Sequence, residues 1–115
     1  MGLTLPFKNK FMTYLTASTT SVTFVTLGTY TTQGGIGIVY ANIANNTAGY
    51  NTVLQIINSS VTLSELNQVC TTANQYYLSV VTYQPQSQGI TISIGGFANT
   101  SGGTAYFIYS IYEVF

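Results

Sequence analysis

The chain has 115 residues, 46% of them apolar, and only four side chains charged at neutral pH: Lys8, Lys10, Glu65 and Glu113. That length builds one domain, and a charged fraction of 3%, against about 25% in ordinary soluble domains, leaves hydroxyls and amides to wet its surface. With no His, Asp or Arg anywhere, the composition speaks against a hydrolytic triad, a metal-ligand cluster and a basic stripe for nucleic acid.

The first run, LTLPFKNKF, alternates strictly. Leu3, Leu5, Phe7 and Phe11 share one face and Thr4, Pro6, Lys8 and Lys10 the other, which predicts a strand buried on one side. Pro6 lacks a ladder donor and confines this segment to an edge. Residues 12–17 and 21–27 read as further strands before the loop GTYTTQGG. IGIVYANI and YNTVLQII flank the turn ANNTAG and predict a hairpin of residues 36–43 with 50–57. In SSVTLSELNQVC, Thr62 and Glu65 have capping-box spacing, and Leu63, Leu66 and Cys70 fall on one helical face; a short helix near 62–70 is predicted. YYLSVVTY and ITISIGGF flank QPQSQG as a second predicted hairpin, residues 76–83 with 90–97. The last run, TAYFIYSIYEVF, places Tyr106, Ile108, Tyr112 and Val114 on one face and Phe107, Tyr109, Ile111 and Phe115 on the other. Apolar on both sides, it reads as a middle strand of a sheet, covered on one face by a partner sheet and on the other by a second subunit.

Seven or eight short strands joined by turns argue for an all-β, single-domain β-sandwich, immunoglobulin-like or jelly-roll-like. Residues 1–11 form an N-terminal arm and residues 12–115 the sandwich. No catalytic, cofactor or metal site is expected, and the chain reads as a non-enzyme. Glu65 and Glu113 are its only carboxylate side chains, one assigned to a helix and the other to a terminal strand. The runs QGGIG, IGG and SGG lack the lysine and the strand–helix context of phosphate loops and read as turns. Three sequons place candidate N-glycosylation at Asn45, Asn58 and Asn99, in predicted loops. Cys70, the single cysteine, has no internal disulfide partner and reads as a buried small hydrophobe. The start MGLTLPFKNKFMTYL lacks the apolar core of a signal peptide, so the expectation is either a leader already removed or export within a particle. No run reaches the length of a membrane helix. A net charge of zero opposes no association, and a chain without His or Asp offers acid little to titrate, which suits a harsh exterior.

This combination of almost no charge, a Thr, Asn, Tyr, Ile and Val bias, three sequons and a small β domain resembles the extracellular filament subunits and virion structural proteins of hyperthermophilic archaea and their viruses. The resemblance implies donor-strand complementation, in which an N-terminal strand of one subunit completes the sheet of its neighbour. Leu3, Leu5, Phe7 and Phe11 suit the anchors of such a strand. Pairing of Lys8 or Lys10 with Glu113 or Glu65 would set the register between neighbours, and Tyr112 and Phe115 would lie at the same subunit interface. The expected function is a self-assembling subunit of a homopolymeric filament, extracellular, on the cell surface or on a virion. Its partners are copies of itself and N-linked glycans, with no nucleic acid and no membrane span. A closed assembly, as in a capsid or turret protein, is one alternative. A jelly-roll carbohydrate-binding module with Tyr30, Tyr40 or Tyr50 as sugar platforms is the other.

Overall fold

The computed structural model describes the backbone of residues 9–114 and the side chains of residues 17–114. Within them lie eight strands: β1 (Asn9–Thr19), β2 (Val25–Thr31), β3 (Ile36–Asn45), β4 (Tyr50–Asn58), β5 (Val61–Cys70), β6 (Tyr77–Tyr83), β7 (Thr91–Ala98) and β8 (Ala105–Val114). They form two four-stranded antiparallel sheets, ordered β1-β8-β3-β6 and β2-β7-β4-β5. The pairs β1 with β8, β2 with β7, β3 with β6 and β4 with β5 are those of one long hairpin with its tip at the β4–β5 turn. Rolling that hairpin up adds β3 to β8 and β4 to β7, which yields a jelly-roll sandwich. No helix of the described residues is long and apolar enough to cross a membrane.

Two expected hairpins are corrected. β3 and β4 lie in opposite sheets, as do β6 and β7. The turn after β3 spends its backbone donors on distant partners: Asn46 N–H on Thr104 O at 3.0 Å and Gly49 N–H on Cys70 O at 2.7 Å. It therefore bridges the sheets instead of closing a ladder. Polar turn residues mark a reversal of the chain, but the choice of partner belongs to strands far off in sequence.

The helix expected near 62–70 is also corrected, because this segment is β5. Asn58 faces Val61 across the two-residue turn Ser59–Ser60, and Ser59 takes φ 54°, the positive value that primed hairpin turns require. The helical spacing of the apolar residues has a different origin. Ile56 pairs with Ser64 and Ile57 with Thr62, so Leu63 is an extra residue in a bulge. From Leu66 to Cys70 the spacing is even, as on one strand face. The odd step from Leu63 to Leu66 is absorbed by the bulge, and both leucines pack on the core.

The core fills the space between the sheets. Val39, Ala41 and Ile43 of β3 and Phe107, Tyr109 and Ile111 of β8 meet Leu54 and Ile56 of β4 and Ile92 and Ile94 of β7, all buried. Each large apolar side chain among them stabilises the fold by about 1.5–3 kcal/mol relative to exposure. β7 passes close to its neighbours at Gly95 and Gly96, where a Cβ would meet the Phe24 ring at 2.9 Å and the Phe107 ring at 2.7 Å respectively. Three of the four edge strands carry a bulge, β1 between Met12 and Leu15, β2 at Leu27 and β5 at Leu63. Bulges twist an edge out of reach of unwanted pairing. β6 has none and pairs regularly from Tyr77 to Tyr83.

Candidate functional site

Two features of the sandwich depart from an ordinary soluble domain: a carboxylate inside it and an uncharged apolar face outside it. The carboxylate is Glu113. On β8 it follows Phe107, Tyr109 and Ile111 in steps of two, so strand alternation carries it to the inner face, where it is fully buried. Tyr30, near the end of β2, donates its hydroxyl to Oε1 at 2.6 Å. Gln33 N–H donates to both carboxylate oxygens at 2.9 Å, and Gly35 N–H to Oε2 at 2.9 Å.

The β2–β3 loop explains this geometry. Gly34 takes φ +92°, a value that suits glycine, and the reversal aims the flanking N–H groups at one point as an anion-holding nest. The loop is itself fixed, since Thr32 N–H bonds Ile90 O at 2.8 Å and Thr32 Oγ1 donates to Ser87 O at 2.7 Å. Burial, reinforced by the hydrogen bond to Glu113, pushes the Tyr30 hydroxyl well above its ordinary value. Across the sheet, Lys10 on β1 stands at the register position opposite Glu113, followed by Gly37 on β3 and Tyr83 on β6. Gly37 leaves room for the Tyr83 ring, which a Cβ there would overlap. The hydroxyls of Tyr83 and Tyr109 are buried and have no hydrogen-bond partner among the described residues. A carboxylate held by three fixed donors acts as a latch between the β2–β3 loop and β8. Its lone pairs are engaged by Tyr30, Gln33 and Gly35.

The second feature is the outer face of the β1-β8-β3-β6 sheet. Ile36 and Tyr40 of β3 are 48% and 44% exposed, and Leu78 and Val80 of β6 are 69% and 50% exposed. Beside them the outward residues of β8, among them Tyr106, Ile108 and Tyr112, are half-buried. The other sheet is different. Its outward face mixes polar pairs, Thr29 with Ser93, Thr31 with Thr91, and Gln55 with Glu65, whose side chains bond at 2.6 Å, with the pair Val53 and Phe97. Its exposed large apolar residues, Val61 and Val69, are separated at the two ends of β5.

The residues singled out by sequence distribute as follows. Leu3, Leu5, Phe7, Lys8 and Phe115 lie outside the described residues. Phe11 and Lys10 fall on β1 opposite Tyr112 and Glu113. The strand beside β8 is therefore β1 of the same chain, and Glu113, expected at a subunit interface, lies inside the sandwich. Asn45 is buried at the end of β3, with Nδ2 donating to Thr52 Oγ1 at 3.3 Å, so a glycan there would displace the interior. Asn58 is half-buried and donates to Gln86 Oε1 at 3.2 Å, whereas Asn99 is exposed after β7. Tyr30 is buried against Glu113 and presents no sugar platform; Tyr50 is half-buried and Tyr40 exposed. Cys70 is buried with Sγ 3.8 Å from Thr52 Oγ1, and burial pushes its thiol up. Sequence reasoning missed Tyr30, Gln33 and Gly35 as partners of Glu113. The parity of Glu113 with Phe107, Tyr109 and Ile111 was the signal that this acid needed donors.

No family profile matches the sequence, and no curated protein matches it either. Solved structures do. The chain superposes on the subunit of Bacillus endospore appendages, described as a family of disulfide-linked pili, with a TM-score of 0.55 and 10% identity, covering 98% of this chain and 97% of that one. It also superposes on xylanase 10B of Clostridium thermocellum, a structure of the CBM22-1 and GH10 modules with xylohexaose, with a TM-score of 0.51 and 14% identity. There the match covers 78% of this chain and 19% of the other. At these identities the likeness is one of fold: an all-β jelly-roll sandwich similar along its full length to a pilus-like appendage subunit.

Proposed function

We propose that the chain is a non-catalytic structural subunit of a homopolymeric extracellular or virion-attached filament, joined by exchange of its N-terminal strand. The observation that carries this reading is the position of β1. It is an edge strand whose partner in the sheet is β8 alone. An edge held by one ladder can be supplied by a neighbour in the same register, with residues 1–8 and their anchors Leu3, Leu5 and Phe7 travelling with it. Full-length similarity to an appendage subunit supports the same assignment. Zero net charge removes the repulsion that opposes polymerisation. The scarcity of titratable groups suits exposure to hot or acidic surroundings, as in the archaeal filaments this composition resembles.

Electron microscopy of the purified chain tests the proposal. Filaments are expected, and removal of residues 1–11 should leave particles that no longer polymerise. Normal filaments from the truncated chain overturn the role of residues 1–11 in strand exchange, and normal filaments from a chain lacking residues 1–19 overturn the exchange itself. Closed shells assign the fold to a capsid-like assembly.

A carbohydrate-binding module is the second reading. It is favoured by the exposed Tyr40 and by the likeness to the xylanase structure. It predicts a monomer that binds xylohexaose and loses that binding in Tyr40→Ala.

A further inference from the structure

We propose that the outer face of the β1-β8-β3-β6 sheet is a docking surface for the same face of a second copy of this chain. The inference goes beyond strand exchange, because it names a lateral, face-to-face contact that exists whether or not the edges are exchanged.

Three observations carry it. The first is the asymmetry between the sheets. Strand alternation commonly gives a two-layer sandwich an inner apolar face and an outer polar one. On the β2-β7-β4-β5 sheet the outward pairs are largely Thr, Ser, Gln and Glu, and its exposed large apolar residues, Val61 and Val69, stand apart at the two ends of β5. On the other sheet, Tyr40 stands opposite Val80 on one side and Ser110 on the other, while Ile108 and Leu78 flank Asn42. Both layers of that sheet carry apolar side chains, and Ile36, Tyr40, Leu78 and Val80 of the outer one are exposed among the described residues.

The second observation is charge. Glu113 is turned inward and Glu65 sits on the opposite sheet, so no charged side chain lies on the described part of this face. An ionic partner finds nothing to pair with. A copy of the same face matches it, uncharged against uncharged, in a chain whose net charge is zero. Asn42 and Ser110, near the centre of the patch, are the polar groups there that a tyrosine hydroxyl of a second copy would meet.

The third observation is size. Strands spaced about 4.8 Å apart and rising about 3.3 Å per residue give β8, β3 and β6 a projected face of roughly 400–500 Å². That is a sizeable patch for a monomer and about half to two-thirds of the ~800 Å² that each partner contributes to a standard interface, an area that suits a weak contact between copies.

Sedimentation equilibrium of the full chain, over a concentration series, tests the proposal. The wild type should associate at least to twice its monomer mass. Tyr40→Lys with Val80→Lys places like charges on both faces and should weaken association about 100-fold. Thr29→Lys with Thr91→Lys, on the polar sheet, should leave it unchanged. Melting curves verify folding, and Leu78→Ser with Val80→Thr, which keeps strand propensity, replaces the lysine pair if that variant fails to fold. Undiminished association of the face variants, or equal loss in the control pair, overturns the proposal. So does a monomer that binds xylohexaose through Tyr40, which would assign the face to carbohydrate.

Microscopy of the same samples separates this inference from the filament reading. Filaments of the face variant that bundle like the wild type refute the face alone. Wild-type dimers that the face variant dissociates, with no filaments in either, refute the filament alone.

Discussion

Removing the latch at Glu113 is the perturbation that tests the site most directly. Glu113→Ala removes the acceptor of the Tyr30 hydroxyl and leaves the N–H groups of Gln33 and Gly35 without the carboxylate that holds them. Each buried donor left unmade costs about 1–3 kcal/mol, and the relief of a desolvated charge offsets part of the sum, so a loss of about 4 kcal/mol is expected. Glu113→Gln is milder. Turned so that its carbonyl takes the Oε2 position, the amide still accepts from Gln33 and Gly35, while its NH₂ donates to the Tyr30 oxygen. A loss of about 1–2 kcal/mol follows, mainly from the missing charge on those bonds. Urea titrations give the differences, and melting points should move by roughly 4 °C per kcal/mol in a domain of this size. A cost below about 1 kcal/mol for Glu113→Ala, or equal costs for Ala and Gln, refutes the assignment of Glu113 as a multiply bonded latch.

Two further predictions concern the core. Burial pushes the hydroxyls of Tyr30, Tyr83 and Tyr109 above their ordinary value of 10.0. Above that pH the unfolded chain loses protons the folded chain keeps, so the stability these three tyrosines contribute is complete below pH 10 and declines as pH rises. The slope approaches about 1.4 kcal/mol per pH unit for each tyrosine. Tyr83→Phe should cost little at neutral pH, since that hydroxyl has no partner among the described residues, and should reduce the alkaline slope by about a quarter, because the buried Cys70 thiol is also pushed up and contributes beside the three tyrosines. An unchanged slope in urea titrations from pH 8 to 11 would sink this account. Gly96→Ala drives a Cβ onto the Val53 backbone carbonyl and to 2.7 Å from the Phe107 ring. Backbone cannot step aside as a flexible side chain can, so a loss of at least about 2 kcal/mol is expected by thermal melting. Wild-type stability there would mean that β7 and β4 are not so closely apposed.

Much of the fold was legible in local pattern. Alternation in YYLSVVTY and TAYFIYSIYEVF predicted strands, and β6 and β8 are strands. The two apolar faces of the last run predicted a central position, and β8 lies between β1 and β3. Leu63, Leu66 and Cys70 misled because a bulge imitates a helical step, and a bulge is created by pairing with β4, which local sequence does not contain. The two expected hairpins failed for a related reason. A turn such as ANNTAG reports that the chain reverses, while whether the next strand joins the same sheet depends on remote ladders competing for its edge.

The sequence by itself determined the material: a single β domain with almost no ionic surface, strands apolar on one or both faces, and turns at its Gly and Asn clusters. Those properties follow from residue type and from the two-residue period of a strand. Only the tertiary structure decided which strands pair, that Glu113 meets Tyr30, Gln33 and Gly35 across the sandwich, and that the remaining apolar layer of one sheet faces outward. Contacts between residues some eighty positions apart arise from chain closure and packing of whole sheets, and no local pattern encodes them.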